Sequence, residues 1–166
     1  MHPKVVLALC VSFALFSCGK NYTGVHTGHE GQTVPAIDLI SPDSSRKIAT
    51  TNIPAGEPFI LFYIRADCPY CHSELQTITN NIAAFKHIRF YILANHSSQR
   101  LKRLCQELQL DHYPNIFLGV DYNGTFRDYF SPEGVPYTAF YRKDKTLDKV
   151  LMGALTLKQL NAAIQD

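Results

Sequence analysis

An α/β fold on a central mixed sheet is what this sequence predicts, and three observations carry that reading. Residues 59–65 are apolar at nearly every position, as a strand covered on both faces has to be. Strand-like and helix-like segments then alternate as far as residue 110, an order that lays consecutive strands parallel with a helix in each crossover. Finally, Cys68-Pro69-Tyr70-Cys71 stands where the apolar run gives way to a helical pattern. Two thiols three residues apart at a helix start can close a disulfide with each other. The first of them faces the unpaired amides and the positive end of the helix dipole, which makes it a candidate nucleophile.

From the N-terminus, the first residues have the pattern of an export signal. Lys4 supplies a positive charge, residues 5–16 form an apolar run of twelve, and Leu15-Phe16-Ser17-Cys18 ends it. Twelve residues are too few to span a bilayer as a helix. Leu-x-Ser-Cys resembles the bacterial lipobox, in which the signal is removed and the cysteine lipidated, so Cys18 is expected to anchor the chain to a membrane of the bacterial cell envelope, facing the periplasm. Gly19 stands where many inner-membrane lipoproteins carry aspartate, which favours the outer membrane. The expected organisation is a signal peptide over residues 1–17, a flexible tether over 18–34 and one domain over 35–166. Cutting after residue 17 leaves 149 of the 166 residues, enough for a hydrophobic core. The tether is rich in Gly, Thr, His and Asn without apolar periodicity, and its His26 and His29 are an incomplete metal set.

Within the domain, residues 36–40 read as a strand and the stretch to residue 58 as turns. After the 59–65 strand the spacing predicts a helix over 69–85, with Pro69 in its first turn, where a missing amide hydrogen costs little. Residues 88–94 follow as a strand and 97–110 as a helix capped by Ser97 or Ser98. Residues 115–120 are strand-like, Asn123-Gly124 is a turn signal, and 125–130 form a short helix. Residues 137–142 and 147–151 read as a hairpin, and Thr156 caps a final helix over 157–164.

The formal net charge is +2, and no basic cluster with interleaved aromatics occurs, so nucleic acid is not expected as a partner. Of five cysteines, Cys10 leaves with the signal and Cys18 goes to lipid. Cys105 shares a helical face with Leu101, Leu104 and Leu108, as an inert core thiol would.

This order of elements matches the thioredoxin fold, and several residues resemble it together. Cys68-Pro69-Tyr70-Cys71 follows the central strand, and Val135-Pro136-Tyr137 resembles the loop that holds a cis proline against the dithiol. Met152-Gly153-Ala154-Leu155 with Gln159-Leu160 resembles the last strand and final helix. The likeness covers residues 34–166, and with the anchor and the irregular stretch at 111–130 the chain most resembles the membrane-anchored TlpA-like thiol-disulfide oxidoreductases: a mixed sheet flanked by helices, with an N-terminal extension and a central insertion. The resemblance implies that Cys68 attacks a protein disulfide and Cys71 resolves it, that Val135, Pro136 and Tyr70 contact substrate, and that the redox-active Cys68–Cys71 disulfide is the only redox group, with no metal and no other cofactor. Partners would be protein thiols or disulfides, an upstream redox partner and, through Cys18, the membrane.

The chain also departs from thioredoxin. The buried aspartate six residues before the first cysteine is Phe62 here, and the tryptophan before the dithiol is Asp67, whose charge Arg65 and His72 are placed to offset. His96 follows the second core strand at the sheet edge where α/β sites gather. Two other readings compete. A thiol peroxidase of the peroxiredoxin type shares the fold, although Tyr63-Ile64-Arg65-Ala66-Asp67-Cys68 lacks the usual threonine three residues before the reactive cysteine. Cys68-Pro69-Tyr70-Cys71-His72 also fits covalent haem attachment.

Overall fold

The computed structural model describes residues 22–95 and 99–165. The expected signal peptide, Cys18, His96, Ser97 and Ser98 lie outside the described residues.

The backbone forms one eight-stranded mixed sheet: β1 Thr23–Val25, β2 Asp38–Ile40, β3 Lys47–Ala49, β4 Phe59–Ile64, β5 Arg89–Ala94, β6 Ile116–Val120, β7 Tyr137–Tyr141 and β8 Leu147–Met152, in the order β1-β8-β7-β4-β5-β6-β2-β3. Strands β4, β5 and β6 are mutually parallel, and β7 runs antiparallel to β4. The helices are α1 Pro69–Asn80, α2 Gln99–Glu107, α3 Thr125–Phe130 and α4 Leu157–Gln165. All six residues of β4 are buried because both faces of the sheet are covered. Ile60, Phe62 and Ile64 pack with Leu75 and Ile78 of α1, Leu101 and Leu104 of α2 and Leu160 of α4. Phe59, Leu61 and Tyr63 point the other way, into a second cluster with Val34, Ile53, Phe126 and Phe130. Continuous apolarity is what a strand between two cores requires.

Several boundaries differ from expectation. Helix α1 ends at Asn80, where Asn81 donates its side-chain amide to the Thr77 carbonyl at 2.9 Å, and a 3-10 turn, Ile82–Phe85, follows. Asparagine competes with the helix for its own backbone groups, which stops it there. Strand β3 falls inside the expected turns.

Residues 22–34 are not a loose tether. Strand β1 pairs antiparallel with β8, Thr33 bridges Thr146, and Gly31 donates its amide to the Leu147 carbonyl at 2.8 Å. The His29 ring stacks on Tyr129 with centroids 4.0 Å apart. Composition there reads as linker because the order comes from remote partners, not from local propensity.

Two local devices shape the half of the molecule around β6. Gly119 has no room for a side chain, since a Cβ would come within 2.7 Å of Leu39 Cβ where β2 pairs with β6. Asp121, buried just after β6, accepts the Thr125 amide at 3.1 Å and the Phe126 amide at 2.7 Å, so its carboxylate holds the first turn of α3. At the last helix, Thr156 and Gln159 cap reciprocally: Gln159 accepts the Thr156 amide at 2.8 Å and returns its own to the Thr156 hydroxyl at 3.4 Å. No helix among the described residues is long and apolar enough to cross a membrane.

Candidate active site

The chain leaves the carboxyl end of β4 through Arg65-Ala66-Asp67 and enters α1 at Cys68, with Pro69 in the first turn. Cys68 is itself the helix cap: its Sγ accepts the Cys71 amide at 3.1 Å. The sulfur thus takes up one of the free amides of the first turn of α1. Cys68 is half-buried, whereas Cys71, one turn on, is fully buried in the core. Both thiols are free in this structure. Burial pushes the Cys71 thiol well above the ordinary range, and its hydrogen bond to Cys68 and the charges of Cys68 and Glu74 push the same way. The two sulfurs therefore differ in burial.

The opposite wall is the loop before β7. The Val135–Pro136 peptide bond is cis, and the Cys68 thiol points at the Val135 carbonyl oxygen across 3.8 Å. Tyr70, between the cysteines, is 68% exposed. Beside Cys68 opens a cleft of about 490 Å³ lined by Tyr63, Arg65, Asp67, Arg127, Glu133 and Val135. The structure thus brings Cys68, Cys71, Tyr70, Val135 and Pro136 to one edge of the sheet.

Asp67 does not confront Cys68 with a free charge. Arg65 forks onto it, Nε to Oδ1 at 3.1 Å and Nη2 to Oδ2 at 2.9 Å, and these bonds hold the Asp67 carboxyl below its usual range. His72 turns away, its Nε2 3.8 Å from Glu107 of α2. Cys105 packs half-buried against the core on α2, and burial raises its thiol too. His26 faces Glu30 at 3.4 Å, and among the described residues no group of three or more His, Cys, Asp or Glu side chains could hold a metal ion.

Sequence reasoning missed Glu74. It lies three residues after Cys71 on the inner face of α1, is 1% exposed, and accepts the Leu155 amide at 2.9 Å and the Thr138 hydroxyl at 3.4 Å. Burial drives its carboxyl up to about 8 against those two hydrogen bonds. A carboxylate among Cys71, Leu75 and Ile78 at helical spacing was the available signal. Phe62, at the position where thioredoxin has its buried acid, is fully buried and apolar, so the buried acid of this site comes from the helix and not from the central strand.

Neither a family model nor a curated protein matches the chain. Solved structures do. A secreted Mycobacterium tuberculosis disulfide oxidoreductase homologous to E. coli DsbE shares 18% identity over 78% of this chain and 95% of its own, with a TM-score of 0.64. The thioredoxin domain of a thiol-disulfide oxidoreductase from Bacteroides vulgatus shares 16% over 82% and 95%, at 0.63. The chain has a thioredoxin-like fold. Enterococcus faecalis AhpC superposes as well, at 13% identity over 82% of this chain and 90% of its own with a TM-score of 0.66, and at such identities the likeness is one of fold alone.

Proposed function

We propose that this chain exchanges disulfides with other proteins outside the cytoplasm, held to the envelope by lipid on Cys18. The observation that carries the reading is the asymmetric pair: a half-buried sulfur capping a helix beside an open cleft, backed by a fully buried sulfur with a buried carboxyl one turn further along the same helix. The Cys68 thiolate attacks one sulfur of a substrate disulfide; an S–S bond forms to the enzyme and the other substrate sulfur leaves as thiolate. Glu74 takes the proton of Cys71, and the Cys71 thiolate attacks Cys68 Sγ. The second substrate thiolate departs, the Cys68–Cys71 disulfide closes, and two electrons have passed to substrate. Run backwards, the same steps oxidise a dithiol. An upstream partner resets the pair. Val135, Pro136 and Tyr70 flank Cys68 and receive the substrate backbone.

Thiol titration in denaturant tests this. Oxidation should remove two titratable thiols from the parent protein, and neither Cys68→Ser nor Cys71→Ser should show that paired loss; an unchanged count in the parent would end the proposal.

A peroxidase reading draws on the fold shared with a peroxiredoxin-like protein from Aquifex aeolicus. Stoichiometric peroxide consumption by the reduced protein, faster than its disulfide exchange, would favour it. Haem attachment fits poorly, because it would have to draw the fully buried Cys71 sulfur out of the core while His72 is engaged with Glu107.

A further inference from the structure

We infer that the dithiol edge of the domain faces the membrane, so that this protein serves cysteines displayed at the bilayer surface. The inference rests on the lipid anchor at Cys18 proposed above and adds an orientation to it.

The register of the sheet carries the argument. Thr23 opposes Met152, Met152 opposes Tyr137, and Tyr137 opposes Tyr63, one row across β1, β8, β7 and β4. Tyr63 is the penultimate residue of β4, directly below the segment that delivers Cys68. The Gly153 amide donates to the Pro136 carbonyl at 2.9 Å, joining the end of β8 to the proline loop. The chain therefore enters the sheet at the same edge from which the dithiol projects, and Tyr22 packs against the core cluster that includes Cys71.

Tether length then decides the orientation. From Cys18 to Tyr22 is four residue steps, which span about 14 Å when fully extended. Strand β4 has six residues and rises about 20 Å. A domain standing on its other end would need the tether to run the height of the sheet before reaching lipid, and the tether is too short. Three strand spacings separate β1 from β4, about 14 Å sideways. Tether and offset together keep the dithiol within roughly 30 Å of the anchor. The partner that fits is a protein seated in the same membrane, with its reactive cysteines at headgroup level; a disulfide deep in the compartment is out of reach.

The test uses the full lipidated chain in phosphatidylethanolamine–phosphatidylglycerol vesicles carrying a headgroup-bound quencher. On a background of Cys68→Ser, Cys71→Ser and Cys105→Ser, one fluorophore is attached through Tyr70→Cys, or through Lys143→Cys in the hairpin at the far end. Quenching several-fold stronger at position 70 supports the orientation, and inserting a twenty-residue Gly/Ser segment after Lys20 should erase the difference. Equal quenching, or stronger quenching at position 143, overturns the orientation and leaves the thiol-exchange reading untouched. Failure of the chain to sediment with vesicles removes the anchor, and the orientation with it. A readout blind to thiol chemistry keeps the two failures apart.

Discussion

On α1, three residues beyond the buried Cys71, Glu74 holds its carboxyl among apolar side chains with the Leu155 amide and the Thr138 hydroxyl as partners. Its pKa rises from 4.5 to about 8, so the folded state keeps a proton that the unfolded chain releases. Stability from this group is complete below pH 4.5 and is lost as pH climbs through about 8, on the order of a few kcal/mol for a group so buried. Glu74→Gln keeps an acceptor for Leu155 and cannot ionise. Denaturant midpoints of the parent should fall across that window while those of the variant stay flatter. Because the Glu74 charge is one of the forces raising Cys71, the same substitution in a Cys68→Ser background should speed alkylation of Cys71 above neutral pH. Equal pH slopes and equal alkylation rates would show that Glu74 is only a tie between α1 and the start of α4.

At the scale of the element, two helix starts carry the site and each rests on one side chain. Cys68 caps α1 through sulfur, so Cys68→Ser should cost little, whereas Cys68→Ala leaves the Cys71 amide without its partner and should cost about 1 kcal/mol in chemical denaturation. Asp121 secures α3 from a buried position by accepting hydrogen bonds from two backbone amides, and α3 carries Arg127 into the cleft. Asp121→Ala should destabilise by about 2–3 kcal/mol and slow exchange with protein disulfides more than with small ones; Asp121→Asn, which keeps one acceptor, should lie between. These elements also show how far the sequence could be read. Strand β4, the dithiol and α3 with its Asn123-Gly124 turn were legible because apolar pattern and turn chemistry are local. Strands β1 and β3 were not: each has three residues, none of them buried, so neither repeats a pattern long enough to register. Glu74 escaped for another reason, since a charged residue on a helix is ordinarily assigned to the solvent face, and only the packing of α1 against β7 and the start of α4 reveals its burial.

For the molecule as a whole, the parallel core of β4, β5 and β6 followed from the alternation of elements, but the extent of the folded body did not. Residues 22–34 read as a tether from their composition, yet they complete the second core. Val34 is 5% exposed within it, its amide bonds the Lys145 carbonyl at 3.0 Å, and the Leu147 amide bonds Gln32 at 2.8 Å. Glu30, held by the Thr27 amide, has its carboxyl lowered to about 2 and fixes the turn that carries His29 onto Tyr129. A chain starting at Pro35 would lose β1 from the sheet edge, the Val34 side chain from the core and the stack that holds the end of α3. Burying one such aliphatic contributes about 1.5–3 kcal/mol, and adding the lost backbone ladder, the truncation should cost on the order of 3–5 kcal/mol, a large share of what a domain this size has. The first core, on the other face of the sheet, surrounds Cys71 and α1 and loses Tyr22 from its margin but none of its buried members, so thiol pairing should survive wherever the truncated chain still folds. Urea unfolding of the two lengths measures the difference. Equal midpoints would mean that residues 22–34 only decorate the sheet edge, and that the independent fold begins at Pro35.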